Sequence, residues 1–97
     1  MTGNETKSLL IVVEGRVQGV GYREFVRRAA LRLQLSGWVR NRWDGAVEAR
    51  VSGAALDLDA LVDAMRAGPS MAQVRALKVV EDGDPPESGG FVIASSA

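Results

Sequence analysis

Apolar residues recur along this chain in two rhythms, and the rhythms alternate. Residues 8–14 form a short, β-branched apolar run and predict a central strand. Over residues 22–34 the period lengthens. Tyr22, Phe25, Val26, Ala29, Ala30 and Leu33 make one apolar stripe of an amphipathic helix, and Arg27, Arg28 and Arg32 fall off it. Ser36-Gly37 breaks the pattern, and residues 38–42 begin a second strand. Asp44-Gly45 is a hairpin signal. Beyond it Val47, Ala49 and Val51 alternate with Glu48 and Arg50, a strand with one buried face that ends at Gly53. A second helix spans residues 56–67, with Leu58, Leu61, Val62 and Met65 as its stripe. Asp57 and Asp59 suit its first turn, and Gly68-Pro69 stops it. Residues 74–80 predict a fourth strand. Residues 82–90, rich in Gly, Pro and acid, predict a long turn, and Phe91-Val92-Ile93 a short last strand. Residues 1–7 and 94–97 carry neither rhythm and predict flexible ends.

The order is β-α-β-β-α-β plus one short strand. It predicts a single α+β domain over 1–97, a ferredoxin-like two-layer sandwich with an antiparallel sheet and both helices on one face. In a split β-α-β unit the first two strands run parallel with another strand between them. Their carboxyl ends then share one sheet edge, so Arg23, after strand 1, and Asn41, at the end of strand 2, converge.

Composition narrows the chemistry. Ninety-seven residues, 46% of them hydrophobic, bound one small core. Cysteine and histidine are absent, which excludes disulfides, thiol chemistry, Ser-His-Asp triads and His-bearing zinc sites. No side chain has an ordinary pKa near 7. No apolar run approaches the roughly 20 residues of a membrane span, and the first residues lack a signal-peptide pattern, so a cytoplasmic monomer is the default. Net charge is zero but uneven. Residues 1–53 hold nine Lys/Arg against five Asp/Glu, whereas residues 54–97 hold three against seven. The positive half contains the stretch Gly15-Arg16-Val17-Gln18-Gly19-Val20-Gly21-Tyr22-Arg23.

Three glycines in seven residues, between a strand and a helix, let successive N–H groups curl inward at a helix N-terminus. Arg23 adds a planar fork of donors that matches phosphate oxygens. An anion cradle is one reading and a plain β-to-α turn the other. The loop lacks the Gly-Lys-Ser/Thr of a nucleoside triphosphatase. Glu24 stands where a dinucleotide fingerprint needs its third glycine. Arg23 either meets an anion or turns to solvent or to Glu14 or Glu24. Asn41, in register with Val39, either bonds a neighbouring backbone or holds a water. Gln18 is a ligand contact or, on position, a surface side chain. Trp38 and Trp43 flank the end of strand 2, where covering the sheet or the turn is expected rather than stacking a substrate.

Residues 15–23 closely resemble the first signature of the acylphosphatase family. The stretch Gly37-Trp38-Val39-Arg40-Asn41-Arg42-Trp43-Asp44-Gly45-Ala46-Val47-Glu48 resembles the second, and Gly53 falls where that pattern has a glycine. Weaker similarity runs through Gly68-Pro69, Ala72-Gln73-Val74 and Phe91-Val92-Ile93, so the resemblance spans about residues 8–93. Tyr22 stands where phenylalanine is common, Gln34 where glycine often stands, and the tail is small and polar. The resemblance implies hydrolysis of acyl phosphates to a carboxylate and inorganic phosphate, without metal or cofactor. Arg23 would bind the phosphoryl oxygens with backbone N–H groups of Arg16, Val17, Gln18, Gly19, Val20, Gly21 and Tyr22, and Asn41 would hold the attacking water.

Elementary chemistry agrees. The departing carboxylate has a conjugate acid of pKa about 4 and needs no general acid, so positioned donors suffice. The alternatives are a non-catalytic anion-binding module on the same fold and an RNA-binding sheet. The latter lacks an aromatic RNP-like pattern and net positive charge, so no nucleic acid is expected.

Overall fold

In the computed structural model residues 5–83 and 89–97 are described. The strands and helices are β1 (Thr6–Arg16), α1 (Tyr22–Arg32), β2 (Ser36–Asn41), β3 (Val47–Ala54), α2 (Ala55–Ala67), β4 (Gln73–Glu81) and β5 (Phe91–Ile93). They form one five-stranded sheet of order β4-β1-β3-β2-β5. Both helices lie over one face, because that face carries the apolar half of each alternation. Leu9, Ile11 and Val13 of β1, Val39 of β2, and Val47, Ala49 and Val51 of β3 are buried there against Val26, Ala29 and Ala30 of α1 and Leu58, Leu61 and Met65 of α2. Truncating a fully buried member such as Ile11 to Ala costs about 2–5 kcal/mol. No polar or charged residue is buried among the described residues.

Two expectations are corrected. The sheet is mixed rather than antiparallel, because β5 pairs parallel with β2. The chain leaves β4 at the end of the sheet where Asp82 N donates to Ser8 O, and it re-enters at Gly90, whose carbonyl accepts from Gly37 N. Both points lie at the starts of β1 and β2, so β5 must run beside β2 in the same direction. The long turn expected at 82–90 lies partly outside the described residues, at 84–88. The expected flexible ends are also corrected where they are described. Thr6 and Lys7 belong to β1 and pair with Ala54 and Gly53. The tail 94–97 continues along β2: Ala94 N donates to Val39 O, Ala97 N to Asn41 O, and Trp43 N to Ala97 O.

The sheet's outer strand on the β1 side is β4. Its far edge is unpaired among the described residues, with Lys78, Val79 and Val80 exposed. In the middle of the order, β3 lies between β1 and β2, and its Val47 is in register with both Val13 and Asn41. The carboxyl ends of β1 and β2 therefore reach the same level of one sheet edge. No helix among the described residues is long and apolar enough to cross a membrane.

Candidate active site

The loop between β1 and α1 is anchored by its valines and open at its glycines. Val17 is 1% exposed and Val20 packs against the core. Gly19 and Gly21 hold φ of 75° and 77°, a left-handed backbone, and a Cβ at either position would meet nothing within 4 Å. Conformation, not crowding, requires glycine there. The N–H groups of residues 18–20 make no backbone hydrogen bond among the described residues. Gly21 is the N-cap of α1 and supplies no side-chain cap, and Phe25 N is the first donor back to Gly21 O. Consecutive unengaged amides thus run from the loop into the first helical turn, where the macrodipole favours negative charge.

Tyr22 contributes only backbone to this concavity. Its ring is buried and its hydroxyl donates to Met65 O at 2.7 Å, satisfying one of the last carbonyls of α2. Burial pushes the phenol pKa well above its ordinary value. Arg23 is half-buried and has no ion-pair or hydrogen-bond partner among the described residues. The neighbouring acid is occupied. Glu24 accepts from Arg27 at 2.8 and 2.7 Å and from Arg28 at 2.9 Å. Those hydrogen bonds, Arg27's first, hold its carboxyl down to about 2. Glu14 forms no pair with Arg23 either. A cation at a helix N-terminus is opposed by the dipole, and with no carboxylate partner among the described residues that opposition stands unless an anion joins it.

Asn41 shares the helix-side face of β2 with Val39. Its Oδ1 is buried and has no hydrogen-bond partner among the described residues, a condition that costs about 1–3 kcal/mol if nothing satisfies it. The bland alternative, a bond to neighbouring backbone, is therefore absent for that oxygen. Gln18 departs from expectation. It is neither a surface side chain nor free for a ligand: its Nε2 donates to Arg42 O at 2.8 Å and Ala46 O at 2.9 Å. No local signal announces this, because both acceptors are backbone carbonyls across the fold. The same holds for the tail that bonds Asn41 O. Trp43 is 83% exposed, so it does not cover the turn. Trp38 lies under the Arg40 guanidinium at 4.5 Å, on the sheet face opposite the helices, with Arg40 paired to Glu48. Arg16 is exposed. The arrangement brings the loop amides, Arg23 and Asn41 to one edge.

The acylphosphatase family model matches residues 9–93. The chain belongs to the acylphosphatase family. An acylphosphatase of Alcanivorax borkumensis is 46% identical over 86 residues, covering 86% of this chain and 94% of that protein. The crystal structure of the Bacillus subtilis acylphosphatase superposes with a TM-score of 0.87 at 37% identity, covering 93% of this chain and 99% of that one. Full-length HypF in a phosphate- and nucleotide-bound form contains a similar unit, with a TM-score of 0.86 at 28% identity. It covers 96% of this chain and 12% of HypF. These findings make this acylphosphatase a hydrolase of the ferredoxin-like α+β class, with an acyl phosphate as substrate and inorganic phosphate as product. Both family signatures fall on the geometry described above: the first on the loop and Arg23, the second on the end of β2 with Asn41.

Proposed function

We propose that the loop amides and Arg23 bind the phosphoryl group and that Asn41 orients the water that attacks it. One observation carries the reading most: among the described residues Arg23 stands without a carboxylate partner at an uncapped helix N-terminus. A phosphoryl group in the cradle accepts from the amides of residues 16–22 and from the guanidinium fork. Asn41 Oδ1, buried and unpartnered, accepts a hydrogen bond from water and so fixes the direction of its lone pair. The bond from water oxygen to phosphorus forms while the bond from phosphorus to the acyl oxygen breaks. The electron pair leaves with the carboxylate, and the water's proton passes to a phosphoryl oxygen.

The donors stabilise charge on the equatorial oxygens, and positioning supplies the rest. Such a site serves a carboxylate leaving group. A phosphate monoester departs as an alkoxide and needs a proton donor that this constellation lacks.

The test is hydrolysis of benzoyl phosphate by the purified protein with a metal chelator present. Turnover is expected. Arg23→Ala should raise KM and lower kcat, because a charge-assisted contact of about 1.5–3 kcal/mol is lost from bound substrate and more from the transition state. Asn41→Ala should lower kcat by about 100-fold with little change in KM. Full kcat in a folded Asn41→Ala protein would remove the water-orienting role. Thermal protection by phosphate without any turnover would leave an anion-binding module.

A further inference from the structure

The loop proposed to hold phosphorus and the strand end proposed to hold water are separate pieces of chain, and one side chain joins them. Gln18 Nε2 carries two hydrogens. One goes to Arg42 O at 2.8 Å and the other to Ala46 O at 2.9 Å. These acceptors flank a single turn: Arg42 N donates to Ala46 O at 2.8 Å, and Gly45 N to Arg42 O at 3.1 Å. Arg42 directly follows Asn41.

The rest of the loop has no comparable tie. The backbone amides of residues 18–20 bond to no other backbone among the described residues. Gly19 and Gly21 present no side chain at all. The valines fix the depth of the loop in the core, but apolar packing is not directional and fixes distances across the mouth poorly. Both Gln18 donors are consumed by carbonyls, so the amide nitrogen has no hydrogen left for a phosphoryl oxygen.

We infer that Gln18 is a positioning residue, which sets the distance and angle between a phosphoryl group in the loop and the water on Asn41. The inference rests on the roles proposed above for Arg23 and Asn41. Gln18 acts on the reaction through Asn41's strand end and leaves phosphate affinity to the amides and Arg23. A misplacement of about 1 Å between reacting groups costs on the order of 100-fold in rate, whereas a phosphate held by charge and several amides tolerates it.

The experiment uses Gln18→Met, which keeps length and removes both donors. Its kcat on benzoyl phosphate should fall about 10- to 100-fold, while the inhibition constant of inorganic phosphate stays within about threefold. A kcat within twofold of wild type would overturn the inference. So would a phosphate affinity that falls in step with kcat, which would make Gln18 a ligand. In an Asn41→Ala background the same substitution should cost less than about twofold further, since residues that act as a unit are not additive. A full multiplicative loss there would mean that Gln18 does not work through Asn41. The Asn41→Ala single variant reports separately on the proposed role of Asn41.

Gln18→Glu covers the case in which the thioether variant does not fold. A protonated carboxyl donates one hydrogen bond and an ionised one none. At saturating substrate its kcat, relative to wild type at the same pH, should rise as pH falls through the carboxyl range. A flat ratio would overturn the inference as well.

Discussion

Glu24 decides whether Arg23 is available. It directly follows the arginine and is the nearest acid in sequence, yet Arg27 and Arg28 on the next turn hold both its oxygens. The i,i+3 and i,i+4 spacing on α1 is what delivers them. Three arginines near one acid leave the start of α1 with net positive charge, which an even balance over the whole chain conceals. The pairing has a pH signature. The carboxyl's pKa is held near 2 in the fold, against an ordinary value of 4.5. Its stabilising contribution is full above the ordinary value and is lost as pH falls from there toward 2. Glu24→Gln should therefore flatten the acid limb of stability between about pH 4.5 and 2, read from urea midpoints. Because the group is exposed, the difference should shrink in high salt. Arg23 and Asn41 stand out in the sequence as candidates because each is a conspicuous type in its setting: a cation at a helix start and an amide on an apolar strand face. Gln18 does not, because nothing about a glutamine in a loop predicts that carbonyls 24 and 28 positions away will capture it.

The two ends of α1 show why some element boundaries can be read and others cannot. Its start is marked by glycine, and Gly21 takes the left-handed conformation that leaves the first turn uncapped. Its stripe was equally plain: Tyr22, Val26, Ala29 and Ala30 are buried. The end came two residues earlier than the apolar period suggested. The helix closes after Arg32 by a Schellman motif, with Leu35 N donating to Ala30 O and Gln34 N to Leu31 O. Gln34 occupies the left-handed position at φ 59°, the one non-glycine with positive φ among the described residues. Holding a side chain there costs about 1–2 kcal/mol, partly offset by the greater chain entropy that glycine loses on folding. Gln34→Gly should thus raise stability by about 0.5–1 kcal/mol, a rise of a few degrees in Tm for a domain of this size. Activity should be unchanged, since the position lies at the far end of the helix from the loop. The departure from the family's glycine, visible in the sequence, becomes a measurable strain only once φ is known.

At the scale of the molecule, the strand order does the work of assembly. Placing β3 between β1 and β2 puts two carboxyl ends on one edge, in register through Val47, and the acidic stretch begins and ends at the opposite edge. That much followed from the order of elements. The parallel β5 and the tail bonded along β2 did not. Three residues of strand and four of tail carry too little pattern to show which edge they join, and their pairing depends on where the chain re-enters the sheet.

The unpaired edge of β4 has a consequence for the protein in company. Among the described residues this strand has Val79 and Val80 exposed and no partner along one side, which makes it a template for another chain. Lys78 sits beside them on that edge, where two copies meeting strand to strand would have to bring ammonium groups together and desolvate them. Lys78→Val removes this obstacle and extends the exposed valine run by one residue. The substituted protein should retain its native spectrum and hydrolytic rate when dilute. At concentrations of hundreds of micromolar it should scatter light and form thioflavin-positive aggregates under conditions that leave the wild type clear. Equal clarity of both proteins would show that the edge is protected by something other than its charge.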